Sequence, residues 1–334
     1  MMPLKSISLA LAALLATAAA PPRGTGGVVQ RIGGPDGGWD LLSVDSEHRR
    51  LLVARTDGVM AIDLATGKVT PRLVPGARFH AALAIPGGLG IATSGQSNTA
   101  ILFDTGSGAV KAEIPTGANP DAAIYDPATK TVWVMNARDG SATVIDPRRA
   151  IVVATVPIGG GLELAALDGR GHLFVNVEDK NEIVEIGLTS RNVMRHIALP
   201  GCDGPTGLTY VTSGALISAC ANGVAKLVTA STGRVAGEIR IGLRPDGAFA
   251  DPARHRAYIP SGGDGTLTVI ETSGRLPRTI GTIATQTGAR TGAVDAVTGR
   301  VYLPAARYLP AAAAGERPRM VPGSFEVLVV APAG

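Results

Sequence analysis

The chain is poor in three things, and each shortage excludes something. Aromatic residues make up only 4% of its 334 residues. A core must therefore be built from Ala, Val, Ile and Leu, and few rings are free to stack on bases. Charged residues amount to 17%, and no Lys/Arg-rich run occurs, so the net charge of +4 gives a thinly basic surface rather than a polyanion-binding stripe. Only two cysteines are present, Cys202 and Cys220, too few and too far apart for a Cys-based zinc set. There is no GxSxG elbow, HExxH pair, Walker A loop or CxxCH haem site.

What is abundant is glycine (44) and proline (23) among 45% hydrophobic residues, the composition of many short strands joined by tight turns. One phrase recurs seven times. Its clearest copy is TVWVMNARDGSATVIDPRRAIVVATVPIG, 131–159, and its closing strand reappears as AID at 61–63, LFD at 102–104, VID at 144–146, VEI at 184–186, KLV at 226–228, VIE at 269–271 and LVV at 328–330. The equivalent positions Asp63, Asp104, Asp146, Gly187, Thr229 and Glu271 follow one another at 41 or 42 residues, and Ala331 comes 60 after Glu271. A period of about 40–45 residues with several strands per repeat predicts an all-β, seven-bladed β-propeller with four strands per blade. In the third repeat the strands are expected at 121–126, 131–136, 142–146 and 151–158. Thr-Gly and Ser-Gly pairs mark the outer turns, at Thr66-Gly67, Thr105-Gly106, Thr232-Gly233 and Ser273-Gly274. No helix follows these glycines, so they are not phosphate cradles.

The seventh repeat ends before a fourth strand. The missing piece matches Val28-Val29-Gln30-Arg31-Ile32-Gly33 near the start, so the N-terminal strand is expected to complete the last blade and close the ring. The domain then spans 26–334. Before it, Lys5, the apolar run Ile7–Leu15 and the small residues Ala16–Ala20 read as a secretory signal peptide over 1–20, cleaved near 18–20. The expected location is the periplasm or the exterior, and the mature protein is expected to be a monomer without a membrane span.

VWVMN at 132–136, VID at 144–146 and VATVPIG at 153–159 resemble the YVTN family of seven-bladed propellers, which includes YncE-like periplasmic proteins. Weaker versions occur as LFVNV at 173–177, AYIPS at 257–261 and VYLPA at 301–305. The resemblance covers the mature chain and implies the propeller fold. Roles within such a family are diverse, and no catalytic residue is carried over by motif.

Blade topology places the inter-blade loops and the loops between second and third strands on one face, around the channel mouth. Aligning the start of each innermost strand gives one residue per blade: Asp40, His80, Asp121, Glu163, Thr206, Asp246 and Arg290. Arg78, Asn119 and Arg244 stand two residues earlier, Trp39 and Phe79 one earlier, and all are expected to rim the mouth. His80, Asp121, Glu163 and Asp246 are the candidate ligands of a divalent metal in the channel; otherwise no cofactor is predicted. Three readings follow: a non-enzymatic propeller binding a small ligand or periplasmic protein at this mouth, a lactonase-like metal-dependent hydrolase using the acidic and His residues, and nucleic-acid binding as in YncE-like proteins. A ring of inter-blade hydrogen bonds with no ligand accounts for the same positions. An insertion at 306–323 falls on this face as a lid or partner loop. Cys202 and Cys220 map to one face of blade five and are expected to form a disulfide.

Overall fold

Short apolar runs that end in Asp, Gly or Pro make short strands, and the structure contains little else. The computed structural model describes residues 26–310 and 318–333. Its strands form seven four-stranded sheets arranged as blades. Blade three shows the plan: Pro120–Asp126 innermost, then Thr131–Asn136, Ser141–Asp146 and the outermost Ile151–Pro157, every neighbour antiparallel. The second and third strands of each blade are almost wholly buried, whereas the outermost strands alternate with solvent. The core is distributed between blades rather than inside one. Trp133, Met135 and Val144 of blade three pack with Leu173, Val175 and Val184 of blade four in one apolar cluster, as expected for repeats that cannot bury their faces alone.

The ring closes as the sequence predicts. Gly26–Gly33 pairs antiparallel with Glu326–Pro332 as the outermost strand of blade seven. Ile32 enters the core, and Arg31 bonds Glu326 and Gln286. A second fastener spans the same seam. The guanidinium of Arg49, in blade one, donates two bonds of 2.9 and 2.7 Å to the buried carboxylate of Asp295 in blade seven.

Asp295 is one of five aspartates that end innermost strands. Asp45, Asp126, Asp168, Asp251 and Asp295 each accept the backbone N–H groups of the following turn. Such short-range capture holds the turn tight and neutralises donors that the sheet cannot use. The Cys202–Cys220 disulfide is formed, with the two Cα atoms 5.5 Å apart. The signal-peptide residues 1–20 lie outside the described residues. No helix among the described residues is long and apolar enough to cross a membrane.

Candidate functional site at the channel mouth

A displaced register sets the aim of the ring residues. In blades one to five the innermost strand gains one residue relative to its neighbour at the ring position, for example between Pro120↔Asn136 and Ala123↔Val134. In blade six the same slip separates Pro245↔Ser261 from Phe249↔Tyr258. A bulge of this kind frees a residue from the ladder and re-aims its side chain. It also frees carbonyls, and the neighbouring blade captures them. Thr93 Oγ1 donates to Asp121 O (2.6 Å), Asn176 Nδ2 to Thr206 O and Gly207 O (3.1 Å each), and Thr291 Oγ1 to Asp40 O (3.0 Å). The inner strands approach so closely that a Cβ on Gly207 would lie 2.5 Å from the Gly247 carbonyl carbon.

The seven aligned residues divide by what they touch. His80 Nδ1 lies 2.8 Å from Asp40 Oδ2 and 3.7 Å from Asp121 Oδ1; the Asp40 bond raises the imidazole's pKa above its ordinary value. Nε2 of His80 is buried without a hydrogen-bond partner, as is Asn119 Oδ1, and both atoms crowd the Cα side of Gly95. Arg290 Nε donates to Asp246 Oδ2 at 2.6 Å. Burial works against the guanidinium, but Asp246 and Asp40 together hold its pKa above the usual one. Glu163 has no hydrogen bond or ion pair among the described residues. Thr206 is different: its hydroxyl donates to Pro245 O at 3.0 Å and the residue is buried, so it joins blades rather than facing the mouth.

Too many carboxylates share this space. Burial raises Asp121 to about 7, with Asp40 adding repulsion and His80 opposing it. Burial likewise raises Asp246 to about 6 against the pull of Arg290. Glu163 is pushed up to about 10, first by burial and then by Asp121, Asp246, Glu178 and Asp40. Crowded, desolvated carboxylates hold protons because ionising one costs Coulomb energy against the rest. Glu178 was not among the aligned residues. It opens the loop after the second strand of blade four, a loop class placed on this face by topology, and extending the alignment to those loops finds it.

The rim residues separate as well. Arg78, Asn119 and Arg244 hold left-handed backbone, φ between 50 and 54°, at the turn where each inner strand begins. Arg78 and Arg244 are exposed and form no ion pair among the described residues, and with Arg290 bound to Asp246 the three do not make one anion clamp. Trp39 and Phe79 do not rim the mouth. They are 6% and 4% exposed and sit in the inter-blade core, because each is one residue before the bulge and so faces away from the channel.

The insertion begins as a ribbon, with Leu309 N donating to Arg319 O and Val321 N to Arg307 O, both 2.8 Å. Tyr308 leans on Trp39, their ring centroids 6.5 Å apart, and Trp39 on Phe325 at 5.4 Å. The stem thus packs on Trp39, at the start of the innermost strand of blade one. Residues 311–317, most of the insertion's middle, lie outside the described residues.

Asp40, His80 and Asp121 each offer a ligand atom, all within 4.8 Å of one another, enough to hold a cation if the His80–Asp40 bond opens. Glu163 and Asp246 fall outside that group. Below the ring, residues of the inner strands line a cavity of about 430 Å³.

No protein-family model matches the chain, and no curated protein matches it in sequence. Solved structures match in fold. A chain of the Kuenenia stuttgartiensis hydrazine synthase is 16% identical with a TM-score of 0.70, over 81% of this chain and 93% of that one. A chain of a mitotic checkpoint complex is 14% identical with a TM-score of 0.75, over 98% and 99%. The virginiamycin B lyase of Staphylococcus aureus is 15% identical with a TM-score of 0.70, over 90% and 98%. At such identities the shared property is the fold. Fold and site together define a seven-bladed β-propeller with a carboxylate-crowded channel mouth.

Proposed function

We propose that the protein is a binding propeller whose channel mouth accepts a positively charged group, without catalysing a reaction. The observation that carries this reading is Glu163, which has no partner among the described residues and whose pKa is pushed up to about 10, first by burial and then by Asp121, Asp246, Glu178 and Asp40. His80 and Arg290 are already committed to Asp40 and Asp246, so protons stand where cations would at Asp121 and Glu163, and an incoming cation would displace them. The propeller repeat and the disulfide support an exported YVTN/YncE-like protein working in the periplasm or outside the cell. The same carboxylates repel phosphate, which counts against nucleic-acid binding at this face.

The experiment is calorimetric titration of the purified protein with ethylammonium in two buffers of different ionisation enthalpy. Binding with release of a proton is expected, and affinity rising with pH by up to about tenfold per unit where one proton leaves per cation. Absence of binding at pH 6 to 9 overturns the reading.

One observation favours a second reading, a metal-dependent enzyme: the grouping of Asp40, His80 and Asp121. A neighbour in fold is named a lyase. Metal analysis and titration with Mg²⁺, Ca²⁺ and Mn²⁺, followed by lactone-hydrolysis assays, separate the two. A metal held by wild type, lost in Asp121→Asn and required for turnover would replace the binding reading.

A further inference from the structure

The channel below the ring has a different chemistry from its mouth. The cavity of about 430 Å³ begins one residue beneath the ring, at Leu41, Ala81, Ala122, Leu164 and Gly247, and runs to Tyr125 and Tyr210. Not one charged side chain lines it. Of its few polar side chains, Ser43 is occupied between blades, donating to Ala82 O and accepting from Ala84 N. Leu41 of blade one packs against the apolar cluster of blades three and four, and Leu164 joins it from blade four. The volume falls in the range of about 300–1,000 Å³ that small-molecule sites occupy. Most of the lining side chains are aliphatic and favour an alkyl or aryl occupant, with Ser43, Thr209, Tyr125 and Tyr210 as the polar exceptions.

We infer that the occupant of this channel is an amphiphilic organic cation, an amine or quaternary ammonium whose head meets the mouth carboxylates and whose alkyl or aryl part fills the bore. The inference deepens the cation-binding role proposed above and rests on it. Charge complementarity selects the head. Asp121 and Glu163 come from adjacent blades and are the two ring carboxylates without a close cationic partner, their nearest being His80 at 3.7 Å from Asp121. Residue order selects the tail, since the residue after Asp121 is Ala122 and the residue after Glu163 is Leu164, both lining the cavity. A ligand held by those carboxylates therefore finds apolar wall within one residue's length. A bare divalent cation would use the mouth and leave the bore unused. A neutral lipid would use the bore and leave the carboxylates uncompensated.

The test is a homologous series, ethyl-, butyl-, hexyl- and octylammonium, titrated calorimetrically into the full protein at pH 8, beside the neutral alcohols of equal length. Affinity is expected to rise about fourfold per added methylene, the equivalent of ~0.8 kcal/mol per buried CH₂, until the bore is full, and each alcohol is expected to bind at least tenfold more weakly than its amine. Leu164→Ser should flatten the chain-length dependence, octylammonium losing more affinity than ethylammonium. The wild-type series decides the matter even if that variant folds poorly. Equal binding of ethyl- and octylammonium would overturn the inference and leave the cation reading standing. Alcohols binding as tightly as amines would overturn the head-group assignment, and no binding by any member would overturn both.

Discussion

In blades one, three, four and six the innermost stretch has a carboxylate at its start and an aspartate at its close, and the two ends do different things with the charge. In blade three Asp121 opens the strand and Asp126 closes it. Asp126 is 3% exposed and accepts bonds from Ala128 N, Thr129 N and Thr129 Oγ1. Asp295, at the closing end in blade seven, is held down to about 2, first by the Arg49 guanidinium and also by Thr298 and Val297 N–H. Asp45 and Asp168 are likewise held below their ordinary value, because hydrogen bonds from Thr105 and His48 in one case, and from His172 and Arg170 in the other, overcome burial. At the opening end burial acts on Asp121, Glu163 and Asp246 without enough donors to offset it, and all three rise. Burial alone therefore does not set a carboxylate's role. The supply of donors does. Where the strand turns back on itself, the turn provides N–H groups. Where it arrives from the preceding blade, a bulge provides carbonyls, which cannot stabilise an anion.

That contrast can be broken most severely at its closing end. Asp295→Asn removes the anion from a site that donates four bonds to it, so unfolding free energy should fall by about 2–3 kcal/mol, measured by urea denaturation at pH 7. A loss below about 0.5 kcal/mol would mean the blade-one to blade-seven fastener is idle. At the opening end Glu163→Gln should go the other way and raise stability at pH 8 by about 1–2 kcal/mol, a figure already discounted for solvent screening. The melting temperature should rise with it.

The two ends also predict opposite pH slopes. Glu163 and Asp121 bind protons more tightly folded than unfolded, so stability should decline as pH rises from the unfolded values of 4.5 and 3.8 towards about 10 and about 7. Asp295 binds its proton less tightly when folded. Its contribution is complete above 3.8 and should vanish as pH falls through about 2. Melting curves from pH 3 to 9 should therefore show a slope on the alkaline side that Glu163→Gln flattens, and an acid slope that it leaves alone. The smallest effect belongs to Thr206→Val. That ring residue only joins blade five to blade six through Pro245 O, so the cost should be near 1 kcal/mol, with ethylammonium affinity unchanged. A change in binding would restore Thr206 to the mouth.

Much of this was legible in the chain before folding. The period of 41 or 42 residues and the truncated seventh copy predicted the blades and the N-terminal closing strand, since a repeat that cannot bury itself must find its missing strand somewhere. The spacing of Cys202 and Cys220 within one repeat predicted their bond. The same alignment brought six of the ring residues to one mouth and included Thr206, whose partner is a carbonyl of the next blade. Trp39 and Phe79 were misplaced on the rim because simple alternation carries no sign of a bulge. The closing aspartates Asp45, Asp126, Asp168, Asp251 and Asp295 stood in the aligned phrases, but their turn-holding role needs the turn geometry.

By itself, then, the sequence determined what periodicity governs: strand number, blade count, closure, and which loops share a face. These follow from local patterning repeated seven times. The tertiary structure decided which carboxylates are satisfied and which are not, because a proton's affinity depends on donors and charges contributed by other blades. Glu163 is an ordinary glutamate in the chain. It becomes a candidate binding group only where Asp40, Asp121, Glu178 and Asp246 converge on it.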